Sequence, residues 1–303
     1  MPFATVLLSA SALLAPSEAG SCPIVDIMPE FQSALQQEDL RKFIAGHAAL
    51  YAPSVMGPNN VDTMARSSLP SIRSRNDDIQ RNTAILHERL PAYLHDFAGV
   101  FPDFRCNFTI YMMPSFGAFD GAGRFVDGKP AMVLGVDAIS ALEKSEQLKV
   151  FVDHEIFHRY HFQAAGFSDD EGEGATILKA LWAEGLATYV SATMNPDRPL
   201  ADALLVPRDL EAKAQPHIAS IAAELRANLG RKDAAVFAKY FEYGSRSASD
   251  AKLPWRAGYY AGYLVAKRLA QDSSVQSLAH LRGDDLTARI AAALDELAAG
   301  AQP

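Results

Sequence analysis

From Ile24 to about Ala98 the apolar residues recur at helical spacing. Phe31, Leu35, Leu40 and Phe43 come first, and Ile72, Ile79, Ile85, Leu86 and Leu90 follow, with polar residues between them. That period predicts helices. A turn at Gly57-Pro58-Asn59-Asn60 separates them, and the second helical stretch, Ser71 to Phe97, should break at Pro91. The pattern changes after Pro102. Cys106 to Met113 alternates and is rich in β-branched and aromatic residues, which predicts a strand. Gly117 to Lys129 holds the turn formers Gly117, Asp120, Gly121, Gly123 and Gly128 and reads as hairpin loops. Ala131 to Val136 is a second, short apolar strand. Ser140 to Ala165 reads as one long helix, opened by a capping box of Ser140 and Glu143 and closed by Gly166. Thr176 to Met194 and Leu210 to Tyr243 are helical, with the polar loop Gly244 to Asp250 after them. In the next helix, Pro254 to Leu269, Gly258 and Gly262 share a face and permit close approach of another backbone. The remainder to Leu297 is helical packing.

One helical segment carries chemistry. Asp153-His154-Glu155-Ile156-Phe157-His158 fits H-E-x-x-H, and His161 follows it. Residues four apart lie on one helix face, so two imidazoles so placed can converge on one tetrahedral zinc. The glutamate after the first histidine points to where a water on that metal would sit, and can serve as its general base. Alone, such a motif also arises by chance in a charged helix. Glu184 adds weight. It stands in Trp182-Ala-Glu184-Gly-Leu-Ala-Thr188, on a helix otherwise apolar and small, where a lone carboxylate is costly unless paired or metal-bound. The interval after His158 suffices for a loop and an antiparallel return helix. His154, His158 and Glu184 would then hold the metal and leave one position open, as catalytic zinc sites do. Thr188, one turn on, and Asp153 are candidates to support the ligands. Tyr259 and Tyr263 are candidates to donate a hydrogen bond to an oxyanion, although both also suit a core. Arg256 could bind a substrate carboxylate or pair with an acidic side chain. The strand, glycine-rich hairpin, strand and helix order places an edge strand beside the histidine helix, where a peptide could add by main-chain hydrogen bonds. The acidic run Asp169 to Glu173 lacks EF-hand spacing and reads as a solvated loop.

Composition limits the alternatives. The chain has 303 residues, 49% hydrophobic and 21% charged, with net charge -8. It has no Lys/Arg cluster, which argues against a nucleic-acid partner. Residues 1–19 resemble a signal peptide in length and apolarity, with Ser17 and Ala19 at the small-residue offsets, although no Lys or Arg precedes Arg41. A periplasmic or secreted location is therefore expected, with the cytoplasm as the alternative. No apolar run is long enough to span a membrane. Cys22 and Cys106 could pair after export and would be buried thiols otherwise.

His154-Glu155-x-x-His158 followed by Glu184-Gly-Leu-Ala resembles the gluzincin metallopeptidases, the thermolysin-like group whose third ligand is a glutamate. Within them the chain is most similar to the uncharacterised bacterial family of predicted zinc-dependent proteases, which share an E-G-x-A segment and a later G-Y-x-x-G-Y helix, here Gly258-Tyr259 to Gly262-Tyr263. The likeness covers about residues 100 to 270. It implies an α+β, predominantly helical fold, with a small mixed sheet packed on the H-E-x-x-H helix and a helical C-terminal lobe. The expected division is residues 20–100, a helical N-terminal region; 101–195, the zinc-binding catalytic region; and 196–303, the helical lobe. The implied activity is that of a zinc metallopeptidase using one Zn2+ ion and Glu155 as base on a peptide or protein substrate. The departures are specific. A metzincin needs glycine at 161 and histidine at 164, where this chain has His161 and Ala164; the first of these should miss the metal. The aspartate of thermolysin-like enzymes one turn after the third ligand is Thr188 here. An amine-binding glutamate of the aminopeptidase type is absent from Ala131 to Val136. The rival readings are a zinc-binding protein without activity and a zinc hydrolase of non-peptide amides or esters. An intact Glu155 argues against the first, and metal chemistry alone does not separate the second.

Overall fold

The computed structural model describes residues 22–57, 60–142, 145–166, 175–242 and 253–301. The apolar leader, the acidic run and the loop Gly244 to Asp250 lie outside the described residues. Among those described, four strands form one sheet: β1 (Ile24–Asp26), β2 (Thr109–Met113), β3 (Gly121–Val126) and β4 (Lys129–Gly135). The first five helices are α1 (Met28–Gln37), α2 (Leu40–Gly46), α3 (Pro53–Met56), α4 (Val61–Ser74) and α5 (Asn76–Val100). After the strands come α6 (Val136–Leu142), α7 (Leu148–Ala165), α8 (Ile177–Met194) and α9 (Leu200–Ala203). The C-terminal part contributes α10 (Leu210–Ala214), α11 (Ile218–Asn228), α12 (Ala234–Phe241), α13 (Ala257–Leu269), α14 (Val275–Ala279) and α15 (Gly283–Ala298). The fold is α+β and mainly helical, with a small mixed sheet, as expected.

The sheet order is β1-β2-β4-β3, with β1, β2 and β4 parallel and β3 antiparallel to β4. Two sequence expectations change here. The segment at Ile24 is a strand, not the start of a helix; three residues are too few for a period-two pattern to show, and pairing with Ile110 to Met112 decides the matter. The run Gly117 to Lys129 is not all loop. Its second half is β3, paired from Gly121 with Leu134 to Val126 with Lys129, and only Asp127 and Gly128, both at positive φ, make the turn. Glycine lowers strand propensity and so hid the strand that forms the sheet's edge.

The helix expected from Ser140 to Ala165 is two helices. The Ser140 hydroxyl donates to the Val136 carbonyl inside α6, and a 3-10 turn at Ser145–Gln147 leads into α7. Glu143, the other half of the expected capping box, lies outside the described residues. Pro91 does not break α5, which runs through it for 25 residues. Pro91 is exposed, so the carbonyl it cannot bond faces water.

Helix α7 is buried on most of its faces and acts as the central element. It packs on α5 through a ring cluster: Phe101 lies 4.7 Å from Phe97, 4.6 Å from Tyr160 and 5.6 Å from Phe157 between centroids. Gly166 ends α7 in the left-handed conformation, its N–H bonding back into the last turn.

Cys22 and Cys106 are joined by a disulfide that ties the chain just before β1 to the chain just before β2. The bridge spans 84 residues of sequence. Closing so long a loop in the unfolded chain is worth roughly 4.5 kcal/mol by chain entropy. Cys22→Ser with Cys106→Ser is expected to lower unfolding stability by up to that amount in urea titrations under non-reducing conditions. A change under about 0.5 kcal/mol, within the range of ordinary surface substitutions, would mean the bridge constrains nothing.

Candidate metal centre

Helix α7 presents His154 and His158 on one face, and α8 returns beside it to present Glu184. The His154 Nε2 and His158 Nε2 atoms lie 3.0 Å apart, and each faces the same oxygen, Glu184 Oε2, at 3.3 and 3.4 Å. These three are the group of side chains among the described residues that could share one ion. The spacing fits zinc: bonds of about 2.0–2.2 Å to tetrahedral corners put the donor atoms roughly 3.3–3.5 Å apart. His161, although next in the sequence cluster, turns to Phe157 and Trp182 instead.

The electrostatics suit a cation. Burial pushes His154 down to about 4, which leaves its ring neutral with a lone pair at neutral pH. Burial opposes charge on Glu184 too, but His158 and His154 outweigh it and hold the carboxylate ionised, well below its ordinary range. For His158, burial acts downward, while Glu184 prevails and raises it. The Nδ1 atoms of both histidines are buried without a hydrogen-bond partner among the described residues. Metal-bound histidines usually anchor that nitrogen; here packing orients the rings, with His154 stacked on Tyr259 at 12° and 6.4 Å.

Glu155 sits beside this group against the sheet edge. A Cβ built on Gly121 of β3 would fall 2.6 Å from Glu155 Oε2, so only glycine at 121 leaves the carboxylate its place. Gly123, the next residue on that strand face, likewise makes room for Arg159 Nη1, at 2.5 Å from a built Cβ. Burial lifts Glu155 to about 7, helped by Asp120 and Glu184 and opposed by His158 and Arg256. The sequence contained this signal as two glycines spaced by two, but the turn-rich composition around them obscured it.

Helix α13 completes the site from the other side. Gly262 meets Gly185 of α8 backbone to backbone: a Cβ on Gly262 would lie 2.5 Å from the Leu181 oxygen and 2.7 Å from Gly185 Cα. This contact sets the register that brings Tyr259 within reach of Glu184 and Arg256. Burial raises Tyr259 far above the ordinary tyrosine range, so its hydroxyl remains a donor. Tyr263, one turn on, is half-buried beside Tyr189 at 6.0 Å and Tyr260 at 6.4 Å, and it is not among the cleft-lining residues that include Tyr259. Arg256 precedes α13 in a left-handed conformation, φ 62°, with its guanidinium 3.8 Å from the Tyr259 ring centre and Nη1 donating to the Val206 carbonyl at 3.1 Å.

The two remaining candidates face other partners. Asp153 is buried and accepts from Lys149 Nζ at 2.8 Å and Asn195 Nδ2 at 2.7 Å, joining α7 to the end of α8. The Thr188 hydroxyl donates to the backbone carbonyl of Glu184 at 2.7 Å, not to its carboxylate. Asp137 emerges only in three dimensions. Its buried carboxylate accepts from the Ser115 N–H at 2.6 Å, the Ser115 hydroxyl at 3.1 Å and the Gly117 N–H at 3.0 Å. It thereby anchors the bend at Phe116 and Gly117, both at positive φ, that leads into Asp120 and β3. No local pattern distinguishes such an aspartate from a helix-start acid.

These elements enclose a cleft of about 530 Å³ bordered by His154, Glu155, His158, Glu184 and Tyr259. That volume lies in the range of small-ligand sites. A model of the family described as "Predicted Zn-dependent protease (DUF2268)" matches residues 125–285. The chain belongs to this family. The matched span of the predicted Zn-dependent protease begins in β3 and takes in α7, α8 and α13, so it contains each of the residues just named at the metal group. No curated protein and no solved structure matches the chain. Among the described residues no helix is long and apolar enough to cross a membrane.

Proposed function

We propose that the protein is a gluzincin-type metallopeptidase that cleaves peptide bonds at one zinc ion held by His154, His158 and Glu184. The observation that carries this is the convergence of two imidazole nitrogens on one carboxylate oxygen, with a separate half-buried carboxylate beside them that the donor set does not use. Zinc held there supplies Lewis acidity, acidifying water and polarising a carbonyl. The chain supplies the rest. An extended substrate pairs with the outer edge of β3 at its Gly121 end, away from Arg124, which bonds to the Val55 carbonyl of α3; this brings a carbonyl past Gly121 to the metal group. Glu155 takes the proton of the attacking water and passes it to the leaving amine, a task suited to a carboxyl near 7. Tyr259 donates to the oxygen that becomes negative. Arg256 lies over the Tyr259 ring and steadies it. The disulfide supports an oxidising, periplasmic or secreted location.

Metal analysis of purified protein tests the reading. Wild type is expected to carry one zinc per chain and Glu184→Ala far less than one after dialysis. Absence of stoichiometric zinc from wild type would sink the proposal. The two tyrosines should separate as well. Tyr259→Phe is expected to lower kcat by about 10²-fold, the cost of one oxyanion donor, with KM little changed, while Tyr263→Phe stays near wild type. Equal losses would remove Tyr259 from the mechanism.

A further inference from the structure

A second groove lies away from the metal cleft and shares no lining residue with it. It has a volume of about 210 Å³ and runs between α1 and α2 on one side and α4 on the other. Leu35 of α1, Leu40 and Ile44 of α2, and Ala65 and Leu69 of α4 form its apolar lining. Helical spacing puts them there. Leu40 and Ile44 are four apart on one helix face, as are Ala65 and Leu69. Ala65 is buried, and the four larger side chains are only half-buried, so they leave apolar surface in contact with water. Arg73 Nη2 of α4 reaches Glu38 Oε1, just after α1, at 3.3 Å and joins the two sides.

The charges around this lining do not balance. Arg41 of α2 and Arg66 and Arg73 of α4 border the groove, against the acids Glu38 and Asp62. Both acids have a role within the fold. Glu38 pairs with Arg73, and Asp62 lies in the first turn of α4, where the helix dipole favours a negative charge. Arg41 and Arg66, one on each side of the groove, form no ion pair among the described residues. In a protein of net charge -8 this rim has a positive charge in excess. An apolar lining with one surplus positive charge matches a monoanion with an apolar tail. The tail gains by leaving water, and guanidinium groups donate to a carboxylate in a planar, two-point arrangement. A dianion would face Glu38 and Asp62 with no further cation to offset them. A dry cavity of roughly 150 Å³ takes a benzene ring, so the groove has room for about six to eight carbons.

We propose that this groove binds a small monocarboxylic acid with an apolar tail of about six to eight carbons, its tail against Leu35, Leu40, Ile44 and Leu69 and its carboxylate between Arg41 and Arg66. The site is separate from the metal group and does not rest on the peptidase reading. It is built from α1, α2 and α4, which precede the span 125–285 matched by the family model. A ligand that touches all three helices holds them together and stabilises the folded chain by linkage.

Calorimetry on the full chain with butanoate, hexanoate and octanoate tests this. Affinity is expected to rise by about two- to fourfold per added methylene, fourfold being the gain for one that is fully buried. Octanamide, which has the tail without the charge, should bind about three- to tenfold more weakly than octanoate, the range for one or two exposed ion pairs. Arg41→Gln with Arg66→Gln should remove that difference, and Arg41→Lys with Arg66→Lys should keep most of it. Both side chains are exposed, so neither pair of substitutions disturbs the core. Treatment with a chelator should leave octanoate binding unchanged. The proposal is overturned if octanoate does not bind, if it binds the glutamine variant as tightly as wild type, or if its binding is lost with the metal, which would place it in the other cleft.

Discussion

Glu155→Gln is expected to retain one zinc per chain and the wild-type fold while kcat/KM falls by about 10²–10⁴-fold, the usual worth of a positioned acid–base group. Three features set this expectation. Glu155 is not one of the side chains whose atoms converge on the metal position, so its loss leaves the donor set whole. Glutamine has the shape of glutamate, so the space that Gly121 leaves at the sheet edge stays filled. What changes is protonation. Burial lifts the Glu155 carboxyl to about 7, where it can both accept and return a proton, and an amide does neither. The measurement is a fluorogenic-peptide assay beside metal analysis of the same sample. A variant that cleaves at the wild-type rate would falsify Glu155 as the base. A variant that loses zinc would show that Glu155 instead supports the ligands.

The grouping of His154, His158 and Glu184 was legible in the sequence because its physics is local. Four residues along a helix fix the relation of His154 to His158, and a carboxylate amid alanine, glycine and leucine in Trp182 to Thr188 is conspicuous. The helical class was legible for the same reason. The sheet was harder to read. Ile24–Asp26 pairs with residues far along the chain, and a three-residue strand has no period to detect. β3 looked like loop because Gly121 and Gly123, which weaken strand propensity, serve to admit Glu155 and Arg159. As a result the sheet's edge was not assigned to this segment, whereas β4 is interior and β3 is the edge. Asp153 and Thr188 share the fate of many residues beside a motif: proximity in sequence put them near the ligands, but their polar atoms point to Lys149, Asn195 and the Glu184 backbone. Asp137 depends on contacts across the fold and left no local trace.

Gly262→Val is expected to cost at least 1–3 kcal/mol of stability, the usual range for overpacking, and to release zinc from whatever folded protein remains. The obstacle is backbone rather than a side chain that could swing away: the first added carbon already stands 2.5 Å from the Leu181 oxygen and 2.7 Å from Gly185 Cα. To relieve that contact α13 must move off α8, and α8 carries Glu184 while α13 carries Tyr259. Stability and metal binding should therefore fall together, unlike in Glu155→Gln, where only turnover falls. Gly99→Ala supplies the opposite case. Gly99 lies inside α5 and a Cβ there meets nothing within 4 Å, so alanine is expected to add about 0.5–1 kcal/mol. Urea unfolding and zinc content of the two variants decide the matter. If Gly262→Val unfolds within about 0.5 kcal/mol of wild type and keeps its zinc, the close pairing of α8 and α13 is not what holds Glu184 and Tyr259 together. If it fails while Gly99→Ala gains, the close approach of Gly262 to Gly185 is what holds Tyr259 beside Glu184, because only the missing side chains let a tyrosine on one helix reach a carboxylate on the other.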